Sequence, residues 1–447
     1  MPVPSGRFAL LMAATAVGFF VWPGRSWAAL WLVEAVLVLL FLADAAAGVN
    51  PAEIVVRREH PDAVALGDTA TLTWVLENHA RTPSRVTVTD ALWPSLRATR
   101  RTVSVHLGGQ ARHVATAELW PSRRGRFPLD DVTVRVASPL RLAVRHRTRS
   151  VPTTLRVLPG FPSSDELQRR MRRPRIIDVG VRSLRVRGTG TDFDQLREFR
   201  AGDDSRRIDW AATARSQRPI VREYRAERNQ SVVILLDNGR IMAGSVGDVP
   251  RVEHAMDAAL GLTKVATHLG DKVGLLTFDR QVRTVVAPSQ AKTQQARVAE
   301  AMYLLEPELS ESAYLPAFTY ATARFRRRSL YVVLTDLVES VVEEAILPAL
   351  PILCRRHLVV VAGVQDPALQ AWAAGVSDGG AVGGPGDGGL AASDVYRQAA
   401  AIALLQQRRR SSARLAAAGA IVVDAPPGQL ATEIVDTYLE LKASGRL

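Results

Sequence analysis

Residues 188–237 read GTGTDFDQLREFRAGDDSRRIDWAATARSQRPIVREYRAERNQSVVILLD, and their change from charged to apolar decides the fold. The charged part interleaves Asp192, Asp194, Glu198, Asp203, Asp204 and Asp209 with Arg197, Arg200, Arg206, Arg207 and Arg215. Solvated linkers tend to carry like charges in blocks, so this close alternation predicts a folded collar of paired charges. Phe193 and Trp210 lie inside it, so part of it must pack. The apolar run Ser231–Leu236 then delivers one carboxylate, Asp237, at its tip. It predicts the first central strand of an α/β domain.

Downstream, apolar runs alternate with helical periodicity. Strands are predicted at Ser231–Leu236, Lys272–Phe278, Val282–Val286, Ser329–Thr335, His357–Ala362 and Ala420–Val423. Helices are predicted at Pro250–Leu269, Lys292–Leu304, Ala313–Arg326, Ser340–Cys354, Val395–Ala418 and Gln429–Ala443. Near-continuous apolar strands between amphipathic helices mean a doubly wound, mostly parallel sheet buried on both faces. The run VGLLTFDRQVRTVVAP reads as an antiparallel edge hairpin. The glycine-rich stretch 376–393 lacks a strand–turn–helix context, so it reads as a surface loop and not a phosphate loop.

Upstream, the period falls to two between Ala52 and Pro162, where short alternating strands with polar turns predict a β-sandwich. The stretch Phe161–Arg187 is an arginine-rich connector. At the start of the chain, Phe8–Trp22 and Trp27–Ala43 are apolar apart from Glu34, with the turn Pro23-Gly24-Arg25-Ser26 between them. They predict a transmembrane helical hairpin that crosses the bilayer through residues 8–43. Arg7, Arg57 and Arg58 flank its ends and Arg25 alone lies in the turn, which directs both ends to the cytoplasm. A cleaved signal peptide fits two apolar segments less well. Glu34 belongs near an interface or at a helix–helix contact.

The expected organisation is thus a hairpin (1–50), a sandwich (51–162), a connector with the charged collar (163–230) and an α/β domain (231–447). The net charge of +13 suits an anionic membrane surface as well as nucleic acid. The single cysteine, Cys354, excludes an internal disulfide framework and a cysteine zinc cluster. The eight histidines are scattered, and neither a Ser-His-Asp nor a HExxH pattern occurs.

DFDQLREFRAGDDSRRIDWAATAR (192–215) followed by VREYRAERNQSVVILLD (221–237) resembles the signature of the domain of unknown function 58 family. These are bacterial proteins with a von Willebrand factor A-like domain, often encoded beside MoxR-type AAA+ ATPases. The resemblance implies a von Willebrand factor A-like fold for 231–447 and a MoxR-type ATPase as protein partner. It gives Asp192, Asp194, Arg197, Glu198, Gly202, Asp203, Arg207, Asp209 and Trp210 as the signature, acting as a brace or a docking surface.

A von Willebrand A domain would hold Mg2+ at its strand ends, through Asp-x-Ser-x-Ser, a threonine and a second aspartate. Hard Mg2+ takes about six oxygen ligands. Here the first loop is Asp237-Asn238-Gly239-Arg240-Ile241, so both serine positions lack hydroxyls. By the spacing of ESAYLPAF, Ser312 stands for the threonine, and Asp336 for the last aspartate. The candidate metal ligands are therefore Asp237, Ser312 and Asp336, in a degenerate site where Arg240 could stand in for the cation. Asp279 ends another strand and reads as a turn residue.

The sequence points to a membrane-anchored, non-enzymatic adaptor that partners a MoxR-type AAA+ ATPase in assembling or remodelling protein complexes, with no nucleic acid expected. Two alternatives stay open. One is an outward-facing, Mg2+-dependent adhesion-type receptor. The other is a nucleic-acid-acting enzyme that uses the aspartate cluster of the collar.

Overall fold

The structure is a computed structural model and describes residues 2–21, 27–171, 192–200, 205, 208–225, 230–377, 380–381 and 392–447. The chain divides into two compact units, Met1–Leu158 and Pro159–Leu447.

In the first unit, helices α1 (Gly6–Val21) and α2 (Trp27–Ala47) run antiparallel, side by side. Phe8 meets Phe41 and Phe19 meets Trp27, each pair with ring centres 4.9 Å apart. Glu34 sits at this helix–helix contact, where the Thr15 hydroxyl donates to it at 2.7 Å. Among the described residues one helix is long and apolar enough to cross a membrane, over Trp27–Glu53. The 16-residue α1 is apolar but shorter.

A short strand, β1 (Pro2–Pro4), precedes α1, and eight strands lie in the period-two stretch: β2 (Ile54–Glu59), β3 (Ala63–Ala65), β4 (Ala70–Asn78), β5 (Ser84–Asp90), β6 (Thr102–Leu107), β7 (Arg112–Leu119), β8 (Gly125–Ala137) and β9 (Ala143–Leu158). One sheet has the order β1-β9-β8-β5-β6, with β3 also paired to β9, and the other the order β2-β4-β7. Their inward residues, Leu72, Trp74, Val86, Val134 and Leu155 among them, form one shared core. The core encloses a buried ion pair: Arg58 Nε and Nη2 donate to the two oxygens of Asp90 at 2.9 and 2.7 Å. Its Nη1 reaches Leu129 O, Val151 O and Thr153 Oγ1, and Trp74 Nε1 donates to Asp90 at 2.7 Å.

The second unit begins with α3 (Ser164–Met171). Its Leu167 packs on α5 (Arg251–His268) at Gly261, where an added Cβ would lie 2.7 Å from Leu167 Cδ1. The described part of the collar is an antiparallel pair, β10 (Asp192–Glu198) and β11 (Ile220–Arg225), with α4 (Trp210–Ser216) between them in sequence. The main sheet is built from β12 (Ser231–Asp237), β13 (Lys272–Phe278), β14 (Val282–Ser289), β15 (Ser329–Leu334), β16 (Leu358–Val364) and β17 (Ile421–Ala425). Its order is β14-β13-β12-β15-β16-β17, parallel except for the β13–β14 edge pair.

Side chains alternate along β12. Val232, Ile234 and Leu236 enter a core with α5, α6 (Gln294–Met302) and α11 (Leu430–Ala443). Val233 and Leu235 enter the opposite core with α7 (Tyr314–Arg324), α8 (Leu347–Cys354) and α10 (Ala392–Ala417). Both faces being covered is the physical reason the run is apolar without interruption. One more helix, α9 (Pro367–Ala373), follows β16 in the chain.

Arg58→Ala should cost about 3–5 kcal/mol in denaturant unfolding, because it strands the Asp90 carboxylate in the sandwich core. Arg58→Met combined with Asp90→Leu should cost much less, since no charge then stays unpaired. Equal losses in the two variants would show that the pair does not act as a unit.

Candidate functional site

The parallel order places the carboxyl ends of β12, β15, β16 and β17 side by side, the edge at which open α/β sheets bind ligands. Asp237 closes β12 and is fully buried. Its Oδ1 accepts from Ser312 Oγ and from Gly239 N at 2.9 Å; its Oδ2 accepts from Tyr314 OH at 2.6 Å and Thr335 Oγ1 at 2.7 Å. Tyr314 opens α7 and Thr335 follows β15, so three elements converge on one carboxylate.

Gly239 explains part of this geometry. A Cβ there would lie 2.1 Å from Ser312 Oγ and 2.9 Å from Ser310 O. The Ser312 hydroxyl thus occupies the space that a serine at 239 would need. Asn238 and Gly239 turn over the loop 306–312: Asn238 Nδ2 donates to Glu306 O at 2.7 Å and Arg240 N to Ser310 O at 2.9 Å.

Asp336 is the second buried carboxylate. Its Oδ1 accepts from Arg408 Nη1 at 2.6 Å and Leu337 N at 2.8 Å, and Arg251 Nε lies 3.0 Å from its Oδ2. Arg408 also forks onto Asp424 at the end of β17 (Nε–Oδ2 2.8 Å, Nη2–Oδ1 2.7 Å) and donates to Val364 O at 2.9 Å. It crosses β16 at Gly363, where a Cβ would come within 3.1 Å of its Nη2. A planar guanidinium suits this role because its fixed fork can meet two carboxylates and a carbonyl together.

Burial would lower the Arg408 pKa, but the bonds to Asp424 and the charge of Asp336 outweigh it and raise it further. For Asp237, burial pushes the carboxyl up from its usual range, against the pull of its four donors. The Tyr314 phenol goes well above its ordinary value through burial and the adjacent Asp237. An open cleft of about 280 Å³ lies over the Arg408–Asp424 pair, walled by Gln365, Gln370, Leu405 and Arg409.

Of the expected metal ligands, Asp237 and Ser312 meet directly, while Asp336 stands on the neighbouring strand end and faces arginines. These residues do not fit a Mg2+ ion. Three of the four carboxylate oxygens accept hydrogen bonds from protein donors, the fourth, Asp336 Oδ2, is ion-paired with Arg251 at 3.0 Å, and the two guanidinium groups hold the positive charge. Arg240 does not stand in for the cation, as it pairs with Glu311 at 3.2 Å and is exposed. Arg251 and Arg408 take that role because their helices, α5 and α10, cover the edge. Among the described residues no group of three or more His, Cys, Asp or Glu could hold a metal. Asp279 is a turn residue that accepts from Gln281 N at 3.2 Å and Arg283 Nε at 2.5 Å.

Sequence reasoning missed Tyr314, Thr335, Arg251, Arg408 and Asp424. Tyr314 and Thr335 adjoin Ser312 and Asp336 in the chain and were within reach. Arg408 sits in the run Arg408-Arg409-Arg410, which reads as a solvated face. On a helix, successive side chains turn by about 100°, so one of three adjacent arginines can face the sheet.

Of the signature residues, Gly202, Asp203 and Arg207 lie outside the described residues, as do Asp204 and Arg206. Asp192 and Asp194 lie in β10. Glu198 pairs with Arg218 at 2.8 Å, and Arg197 Nη1 donates to Glu198 O at 3.0 Å. Asp209 caps α4 by accepting from the backbone of Ala211 and Ala212 at 3.0 Å, as an N-cap aspartate does. Trp210, expected to pack, is 72% exposed, because it opens α4 on the face turned from Ala212.

A family domain described as "Protein of unknown function DUF58" is found at residues 195–376. The chain is 24% identical over 184 residues to the uncharacterised protein Rv1480 of Mycobacterium tuberculosis, and equally to Mb1516 of Mycobacterium bovis. The match takes in 41% of this chain and 57% of theirs, so the chain spans little more than half the length of these relatives. Among solved structures, the CARDB domain of PF1109 from Pyrococcus furiosus aligns at 15% identity and a TM-score of 0.16, covering 24% of this chain and 95% of that one. Proximal thread matrix protein 1 from the mussel byssus aligns at 10% identity and a TM-score of 0.26, covering 48% and 46%.

Two outcomes test this geometry. Asp237→Asn should fold, since its Oδ1 can accept from Ser312 and Gly239 while its amide donates to the Tyr314 and Thr335 oxygens. Because the folded pKa is raised, the aspartate's contribution is full below about pH 4, its unfolded value, and is lost as pH rises through the folded value. The asparagine variant should therefore gain in melting temperature relative to the parent as pH rises from acid to neutral. A growing deficit instead would contradict the burial argument. Gly239→Ala should destabilise by about 1–3 kcal/mol, with partial recovery when Ser312→Ala removes the crowded hydroxyl. Thermal unfolding of both variants reads this directly.

Proposed function

We propose that this chain is a membrane-anchored, non-enzymatic adaptor whose α/β unit is a von Willebrand factor A-like domain that docks a protein partner. The observation that carries the reading is the state of the strand-end edge. Asp237 is enclosed by four donors of the protein itself and Asp336 is ion-paired with Arg408 and Arg251, so guanidinium groups occupy the place a cation would take. What remains for function there is surface. Leu309 (79% exposed) and Leu315 (53%) stand on the loop and helix that cover Asp237, and Val338 follows Asp336. Large apolar side chains left exposed together at one edge are a mark of a protein-contact surface.

The order β14-β13-β12-β15-β16-β17 with one antiparallel edge strand supports the von Willebrand factor A-like reading. A MoxR-type AAA+ ATPase is the partner that the resemblance of the signature implies, and the DUF58 match at residues 195–376 overlaps that signature. In this reading the two apolar helices anchor the chain as a hairpin, with the soluble parts in the cytoplasm and the sandwich as spacer.

The test is a pull-down of the full-length protein from detergent-solubilised native membranes, with and without ATP. Recovery of an AAA+ ATPase, with sharp loss in Leu309→Asp/Leu315→Asp at an unchanged melting temperature, is the expected result. Recovery untouched by those changes would move docking to the collar around Trp210. No ATPase under any nucleotide condition would overturn the proposed partnership.

A further inference from the structure

Asp44, in the last turn of α2, is 3% exposed and turns its carboxylate onto the β8–β9 turn. It accepts from Ser138 Oγ, from Leu140 N at 2.8 Å, from Leu142 N at 2.9 Å and from Ala143 N at 3.3 Å. The other end of the helix pair holds the same turn. Ser5 N donates to Leu142 O at 2.8 Å, and Ser5 Oγ to Arg141 O at 2.5 Å, one residue before α1 begins. Strand β1 pairs with Ala143–Arg145 just beyond. Arg145 Nη1 reaches Gly48 O at 3.3 Å, and Arg149 Nη2 reaches Pro51 O and Ala52 O at 2.9 and 2.6 Å.

Entry and exit of the helix pair are thus fastened to one turn, and Arg141 holds a left-handed conformation there (φ 59°). This fixes the height of the turn against the helices. Asp44 lies two residues past Leu42, a rise of about 3 Å along the helix. The tip of the turn, Pro139-Leu140, carries no polar side chain, yet Pro139 is exposed and Leu140 is 54% exposed. Arg141 follows it in the turn, and the exposed Arg7 lies two residues past Ser5, which bonds the turn.

From this geometry we propose that the turn Ser138–Ala143 is a third membrane contact. Leu140 enters the headgroup layer, while Arg7 and Arg141 meet the phosphates of anionic lipids. The proposal rests on the anchoring of α1 and α2 in a bilayer. It adds that the sandwich does not swing on a tether: the Asp44 clamp stands its 138–143 end on the lipid surface. An apolar tip with an arginine next to it has the chemistry of an interfacial anchor, with aliphatic carbon below and guanidinium at the phosphates.

The test uses full-length protein in vesicles of phosphatidylglycerol and phosphatidylcholine, with Cys354→Ser and one new cysteine carrying an environment-sensitive fluorophore. Labels go at Leu140→Cys, at Val36→Cys within α2 and at Ala91→Cys, an exposed site whose N–H bonds Asp131 O in the middle of β8, away from the turn. Quenching by lipids spin-labelled at shallow and deep acyl positions reads depth. The expected result is deep quenching at 36, shallow quenching with a blue shift at 140, and none at 91. Arg7→Gln/Arg141→Gln should lose the shallow quenching at 140 while the label at 36 keeps its own. Quenching at 36 with none at 140 would overturn the third contact and leave the anchor intact. No quenching at 36 would overturn the anchoring itself, and the contact with it.

Discussion

Arg408 ties the ends of two strands together by forking onto Asp424 and reaching Asp336, and the second unit depends on that closure. A parallel sheet collects its carboxyl ends on one edge, and here that edge carries Asp237, Asp279, Asp336 and Asp424, the first three buried and Asp279 paired with Arg283 beside it. Like charges so placed need compensation, from a bound cation, protonation or a basic side chain. This chain uses basic side chains for Asp336 and Asp424, and hydroxyls for Asp237. The helices that bring the arginines, α5 and α10, cover opposite faces of the sheet, so the compensation also fastens both layers to its edge.

Much of the fold was legible, because the controlling forces act through local pattern. Ser231–Leu236 is apolar at every position from Val232 on because alternate side chains enter different cores, and a parallel strand covered on both faces leaves no other pattern. The antiparallel edge at Lys272–Ser289 was equally readable from its short polar turn. Both carboxylates at the strand tips, Asp237 and Asp336, were visible as well. Their partners were not, because pairing across the edge joins residues far apart in sequence: Asp336 to Arg408, Asp237 to Tyr314. The misassigned Arg240 shows the limit. It is the arginine nearest Asp237 in the loop, but the turn at Gly239 sends its side chain outward to Glu311.

Charge compensation of the same kind recurs in the first unit. Arg58 and Asp90 form a closed pair within the sandwich core, and Asp44 is satisfied by backbone N–H groups of a turn. In each case a charged residue that composition would place at the surface instead fixes one element against another. Buried charges with complete sets of partners hold geometry more than they supply net stability. That suits a protein whose proposed task is to present surfaces in a fixed arrangement.

The most direct test of a strand-end edge closed by arginine is a Mn2+ titration of the full-length protein followed by electron paramagnetic resonance. The account predicts that the free Mn2+ signal persists at equimolar metal, with no site that depends on Asp336. Stoichiometric loss of the free signal, abolished by Asp336→Ala, would contradict it and place a cation where Arg408 and Arg251 stand.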